Sequence, residues 1–217
     1  MSRPVEAAAA AADDGVGEEW DEDAAHVDEG VTLTAELRDL DAPERDALAA
    51  LLHRHGDGIL DRIEADWVLK VIGRADVEPH RRVFAMRAAT LPLAVFEPIF
   101  LGVPLAHLGR KGARLTLEGG RFIAPFASRR SVRVNEKGTQ LFLYGRDLFA
   151  QSVVAVNGKP AVGDEVLVCD EAGLYLGIGV AAFPLRGPPR GTQKDTVAVR
   201  HRLDLGLYLR DQQDVPV

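Results

Sequence analysis

The 217-residue sequence contains a single cysteine, Cys169. An intrachain disulfide is therefore impossible, and a zinc site built on several thiolates is excluded by the same arithmetic. This suits a reducing compartment: the expected location is the cytoplasm, or the nucleus and nucleolus if the source is a eukaryote. An uninterrupted apolar run of membrane-spanning length is also missing. The most apolar window, Ala88 to Leu108, holds Glu97 and three prolines, Pro92, Pro98 and Pro104, and is expected to be buried core. Met1-Ser2-Arg3 leads into alanines and acids, not the apolar stretch of a secretion signal. No membrane partner is expected.

Catalytic signatures are equally scarce. The sequence has no glycine-rich nucleoside-triphosphate loop and no Gly-x-Ser-x-Gly elbow. The six histidines are scattered, and the closest pair, His53 and His55, is two apart on an expected helix and so points to different faces. Asp164 and Glu165 are adjacent at a turn; weak cation binding and a plain turn start are both open, and the turn start is the simpler role. Gly177 and Gly179 have no following helix, as a dinucleotide-binding turn requires, and are expected to serve barrel curvature or the close approach of another backbone. No catalytic residue, cofactor or metal is expected, and the chain is not expected to be an enzyme.

What is present is an asymmetric charge. The net charge of −7 hides segments of −10 over residues 1–36, 0 over 37–120 and +3 over 121–217. An acidic segment joined to a mildly basic C-terminal part suggests an anionic partner for that part. Of 26 basic residues, 21 are arginine, which can contact phosphate in planar, bidentate fashion and stack on bases; a compositional bias of the coding sequence would give the same count. Residues 1–36, with the alanine run Ala7 to Ala12 and the acids of Glu18 to Asp23, are expected to be a mobile tail. It would mimic RNA on the chain's own basic face, contact a basic ribosomal protein, or simply act as a solvating appendage.

The length and ordinary apolar content fit two small domains, 37–128 and 129–217. Leu48, Leu51 and Leu52 recur at helical spacing between Asp41 and Gly56. Trp67 to Ile72 and Arg82 to Arg87 form an expected strand pair, Gly109 to Gly112 a basic turn, and Ala113 to Leu117 another strand. Arg129, Arg130 and Arg133 mark a basic joint. Beyond it, Ser131 to Val134 reads as a strand and Thr139 to Tyr144 as a short helix stopped by Gly145. Ser152 to Val156, Glu165 to Cys169, Tyr175 to Ala182 and Thr196 to His201 are further strands, with turns at Asn157-Gly158, Gly163-Asp164 and Ala172-Gly173. Many short strands with brief turns imply a closed or nearly closed barrel. The fold class is α+β: an N-terminal α/β domain with a small, mostly antiparallel sheet, then a β-barrel.

The run Asn135-Glu136-Lys137-Gly138-Thr139-Gln140-Leu141-Phe142-Leu143-Tyr144-Gly145 resembles the opening of the PUA domain in Nip7-like ribosome-biogenesis proteins. Val162 to Val168, Leu176 to Ala182 and Asp204 to Arg210 follow in the same order, while Phe100-Leu101-Gly102 and Ala124 to Ala127 look like that family's N-terminal domain. The resemblance spans about residues 37–212. It implies an α/β domain and a PUA barrel that binds precursor ribosomal RNA, without catalysis, during large-subunit assembly. It also implies assembly or RNA-processing proteins as partners of the N-terminal domain, and the chain is expected to be a monomer. Where the family carries Lys-Ser-Gly, this chain has Ala150-Gln151-Ser152, which is expected to remove a charge near the RNA face.

Phosphate contact needs basic side chains, and base contact needs flat apolar surfaces. The expected RNA-binding residues are Arg146, Arg190, Lys194, Arg200, Arg202, Tyr208 and Arg210. Arg200 and Arg202 are two apart on a strand, which puts them on one face; a solvated face paired with Asp195, Asp204 and Asp211 is the other reading. Tyr144, Phe149 and Tyr208 are stacking candidates, though aromatics at such positions are commonly core, as Phe142 is expected to be. Two other functions remain open: a protein-interaction adaptor with weakened RNA binding, and an RNA-modifying enzyme, for which the roughly 90-residue N-terminal part shows no signature.

Overall fold

The computed structural model describes residues 37–73, 81–96, 102–110, 112–187 and 195–210. All of them lie in one compact unit, Leu33–Val217. The acidic segment 1–36, with Arg190 and Lys194, lies outside the described residues.

Helix α1, Ala42–His53, opens where Asp41 accepts from the Glu44 amide and Glu44 reaches back to the Asp41 amide, a reciprocal capping box. It ends at His53, so His55 lies beyond the helix, fully buried. A second helix, α2 (Ile59–Asp66), follows. Strands β1 (Val68–Ile72), β2 (Arg81–Met86), β3 (Val103–Gly109) and β4 (Gly112–Leu115) form an antiparallel sheet in that order. Along one sheet face Val71, Val83, Ala106 and Leu115 lie in register and pack on Leu48, Leu51, Leu52, Ile59 and Ile63 of the helices. The apolar window is less uniform than expected: it contains a 3-10 segment, Ala88–Phe96, whose Ala88, Ala89 and Pro92 are exposed, and only then the buried part of β3.

Helix α3, Leu117–Ile123, joins the two halves of the fold. Gly119 and Gly120 look like a break in sequence, yet they are the contact surface of this helix. A Cβ on Gly119 would lie 1.9 Å from the Leu105 carbonyl oxygen of β3, and one on Gly120 would lie 2.3 Å from the Tyr175 hydroxyl. Only glycines let the helix approach both sheets this closely.

The second sheet has six strands in the order β6-β10-β9-β8-β5-β7: β5 Ser131–Val134, β6 Leu148–Phe149, β7 Val153–Asn157, β8 Glu165–Cys169, β9 Tyr175–Ala181 and β10 Val197–Asp204. β5 and β8 pair in parallel and all other neighbours are antiparallel. The curled sheet encloses Val132, Val134, Phe142, Leu148, Val166, Val168, Ala198 and Val199. Leu167, Tyr175 and Ile178 point the other way and join the core of the first sheet. The two sheets therefore share one apolar layer. The joint between them is pinned as well: the Arg129 amide donates to the His55 carbonyl, and Arg130 pairs with Asp164 at 2.7 Å. The Asp164 carboxylate also accepts from the Ala161 amide, a turn-closing role.

Helix α4, Glu136–Leu143, crosses between β5 and β6 and is capped by Asn135, which accepts from the Gly138 amide at 2.9 Å. Gly138 lets it lie against Val134 and Ser152, whose Cβ atoms would be 3.0 and 2.8 Å from an added methyl. The close approaches expected of Gly177 and Gly179 are present too, since a Cβ would meet the Leu203 carbonyl oxygen at 2.1 Å and Val199 Cγ1 at 2.3 Å. Ala150 is fully buried in the barrel core and Ser152 is 3% exposed, so this stretch offers only Gln151 to solvent.

Candidate nucleic-acid interface

The segment between α4 and β6 is tied to the middle of β10 by a hydrogen bond in which the His201 amide donates to the Asp147 carboxylate at 2.7 Å. Ahead of it, Gly145 adopts φ +75° and stops the helix, turning Tyr144 and Arg146 outward. Tyr144 is 74% exposed. Arg146 and Arg200, the sequence neighbours of Asp147 and His201, are both exposed. Among the described residues neither forms an ion pair with a carboxylate. The pairing of β6 with β10, Leu148 with Val199, fixes this juxtaposition.

The other expected RNA-binding residues occupy different settings. Arg200 lies opposite Val180, which pairs in turn with Glu165, whereas Arg202 falls at a register shift between His201 and Leu203 and its guanidinium is bound to Glu165. Arg210, on the short helix α5 (Leu207–Arg210), makes a two-pronged contact with Asp204 at 2.8 and 3.1 Å and donates to the Leu143 carbonyl. Asp204 is 1% exposed and also holds His201 Nε2 at 2.6 Å. Its buried charge thus anchors the residues behind the exposed arginines, and Phe142 packs on the His201 ring at 5.1 Å. Tyr208 is half exposed, and its hydroxyl donates to Glu118 of α3. Burial and that hydrogen bond push its pKa up to about 12, so it stays a neutral donor.

Tyr144 is a stacking candidate from its sequence position but is not among the expected binding residues. Its position immediately before the helix-stopping Gly145 was the available signal. Phe149, 38% exposed, lies beside Val197 at the other end of the same ladder. No catalytic arrangement appears among the described residues. Burial, and then the Asp170 charge, push the Cys169 thiol up to about 11, which keeps it protonated and a poor nucleophile. No group of three His, Cys, Asp or Glu side chains among them is arranged to hold a metal ion, and none of the described helices is long and apolar enough to cross a membrane.

Residues 130–213 match the family described as the UPF0113 PUA domain. The C-terminal part of this chain has the fold of a PUA domain. Such domains generally bind RNA. A UPF0113 protein of Archaeoglobus fulgidus is 37% identical over 119 residues, which cover 54% of this chain and 65% of the relative. One from Aeropyrum pernix is 30% identical over 112 residues, covering 50% of this chain and 56% of the relative. The alignments thus span less than two thirds of either relative. Two solved structures share the fold: a hypothetical protein from Pyrococcus horikoshii, with TM-score 0.54 at 18% identity over 77% of this chain and 94% of that one, and a conserved PUA domain protein from Thermoplasma acidophilum, with TM-score 0.52 at 18% identity over 79% and 95%. Both likenesses extend well upstream of the PUA domain, into the first sheet.

Proposed function

We propose that this protein is a non-catalytic, cytoplasmic RNA-binding factor that acts on precursor ribosomal RNA in large-subunit assembly, with the N-terminal part holding protein partners. The observation that carries this reading is the pair of exposed arginines, Arg146 and Arg200, flanking the Asp147–His201 hydrogen bond beside an outward-facing Tyr144. Two guanidinium groups suit successive phosphates, and a bare aromatic ring suits an unpaired base. The assembly role rests on the resemblance to Nip7-like proteins. Crosslinking in cells followed by sequencing of the bound RNA tests both parts. Enrichment of large-subunit precursor is expected, and a crosslinked population no different from total RNA would overturn the reading.

A second reading has an observation of its own. Arg202 and Arg210 are already bound to carboxylates, as in a barrel that has given up RNA and works as an adaptor within an RNA-processing complex. Under that reading, Arg146→Glu and Arg200→Glu leave stoichiometric co-purification with partners intact and no RNA-dependent step is affected.

A further inference from the structure

Four segments converge where the two halves of the fold meet, and each brings at least one cation. The end of α1 supplies Arg54, whose neighbour His55 accepts at its carbonyl from the Arg129 amide at 2.9 Å. The turn after β7 lies on that joint: a Cβ on Gly158 would be 3.3 Å from the Arg130 nitrogen and 3.4 Å from Arg129 Cα. Lys159, the next residue, therefore sits beside the two arginines. The Pro160 carbonyl accepts from the Leu185 amide at 2.9 Å, which brings Arg186 of the loop after β9 to the same turn. Leu185 is fully buried, so that loop is pinned behind Arg186. Arg129 is paired with Asp57, and Arg130 with Asp164. Arg54, Lys159 and Arg186 are exposed, and among the described residues none of them forms an ion pair. With only Asp57 and Asp164 bound to it, the belt of five cations keeps three positive charges unmatched.

We propose that this belt is a second contact for an RNA sugar-phosphate backbone, one that carries a strand beyond the barrel and onto the N-terminal half. The inference rests on the RNA-binding reading for its ligand, but on different residues. Exposed cations without carboxylate partners attract polyanions, and three of them on separate segments match successive charges of an extended chain better than one small anion. Backbone hydrogen bonds hold the turn and the loop in place, so less freedom is lost on binding. The belt is also within the path of a strand on the barrel site. Arg200 pairs with Val180, one residue before β9 ends and the chain leaves toward Arg186. Charge reversal at Arg54, Lys159 and Arg186 carries little risk to folding, because all three are exposed and belong to none of the apolar clusters.

The test is fluorescence anisotropy of the full chain with labelled single-stranded RNAs of about 5 and about 16 nucleotides, titrated across about 50 to 200 mM salt. Lys159→Glu with Arg186→Glu is compared with the triple variant that adds Arg54→Glu, and with the barrel pair Arg146→Glu and Arg200→Glu. Arg110→Glu, in the exposed turn after β3, controls for net charge. On the longer RNA, the plot of log affinity against log salt should flatten by about 1.4 in the Lys159 pair and about 2.1 in the triple variant, at about 0.7 per phosphate. The pair should bind about tenfold more weakly at the low-salt end. On the shorter RNA both variants should match the wild type, because the barrel site alone spans it. Wild-type affinity and slope on the longer RNA in the triple variant, with an unchanged circular dichroism spectrum, would overturn the proposal. An equal loss in Arg110→Glu would overturn it too, as an effect of net charge alone. The arms separate it from the barrel reading: loss only in the barrel pair sinks the belt alone, loss only in the belt variants sinks the barrel reading alone, and a wild type that holds neither RNA sinks both. Tighter retention of a labelled polyglutamate than of the longer RNA would assign the belt to an acidic protein and overturn the RNA assignment.

Discussion

The hydroxyl of Tyr175 occupies the space that a side chain at Gly120 would need: an added Cβ would lie 2.3 Å from Tyr175 Oη and 3.2 Å from Ile178 Cδ1. This contact fixes α3 on the outer face of the barrel and thereby sets the two halves of the fold against each other. Gly120→Ala should therefore cost about 1–3 kcal/mol through overpacking, read as a lower midpoint in urea unfolding. Tyr175 Oη is buried without a hydrogen-bond partner among the described residues, and burial, reinforced by the Glu165 charge, drives its pKa upward. Tyr175→Phe alone should thus be nearly neutral, and in the Gly120→Ala background it should recover part of the stability. Unchanged stability in Gly120→Ala would contradict the close approach.

His55 supplies a pH dependence. Its ring is fully buried, and neither nitrogen has a hydrogen-bond partner among the described residues. Burial, then the charges of Arg130 and Arg54, lower its pKa from 6.5 to about 4, against a smaller opposing effect of Asp164. The unfolded chain therefore binds a proton before the folded one does. The stability that neutral His55 preserves is complete above pH 6.5 and declines as pH falls toward 4, a total of about 3 kcal/mol. Unfolding midpoints measured across that window should fall in the wild type and be flatter in His55→Phe.

Glu44 is the buried acceptor of the N-terminal half. It is 2% exposed and receives two bonds from Arg38 at 2.8 Å, one from the Asp41 amide at 3.0 Å, and another from Arg81 of β2. Burial works to raise its pKa, but the Arg38 and Asp41 hydrogen bonds and both guanidinium charges outweigh it and hold the carboxyl below the usual range. Glu44→Ala removes the shared acceptor and half of the capping box, and should cost about 3–5 kcal/mol in denaturant unfolding. A cost comparable to that of an exposed ion pair, under about 1 kcal/mol, would show that the cluster does not hold α1 to the sheet.

Much of this architecture was legible in the sequence, and the omissions have local causes. The barrel strands announced themselves through Asn157-Gly158 and Gly163-Asp164 turns, and α1 through Asp41, Pro43 and its leucines. Helix α2 starts from Gly58 in the left-handed region with no side-chain cap, so the usual start signal is missing. Helix α3 was hidden because Gly119-Gly120 reads as a breaker until Leu105 and Tyr175 are known to lie against it. The two residues of β6 are too few to carry a period.

The candidate site divides along the same line. Gly145 marks the turn that exposes Arg146, which sequence alone reveals. The capture of Arg202 by Glu165, 37 positions away, is a product of β8 and β10 flanking β9, and no local pattern encodes it.

If the exposed guanidinium groups of Arg146 and Arg200 hold an RNA backbone, the salt dependence of RNA affinity in wild type and in Arg146→Glu with Arg200→Glu reads it directly. Wild-type binding should weaken steeply with rising salt, and the slope should be reduced by about 1.4 in the double variant, as for two single-strand phosphates left without their cations. A wild-type protein that retains no RNA at low ionic strength, or a double variant with unaltered affinity and slope, would contradict it.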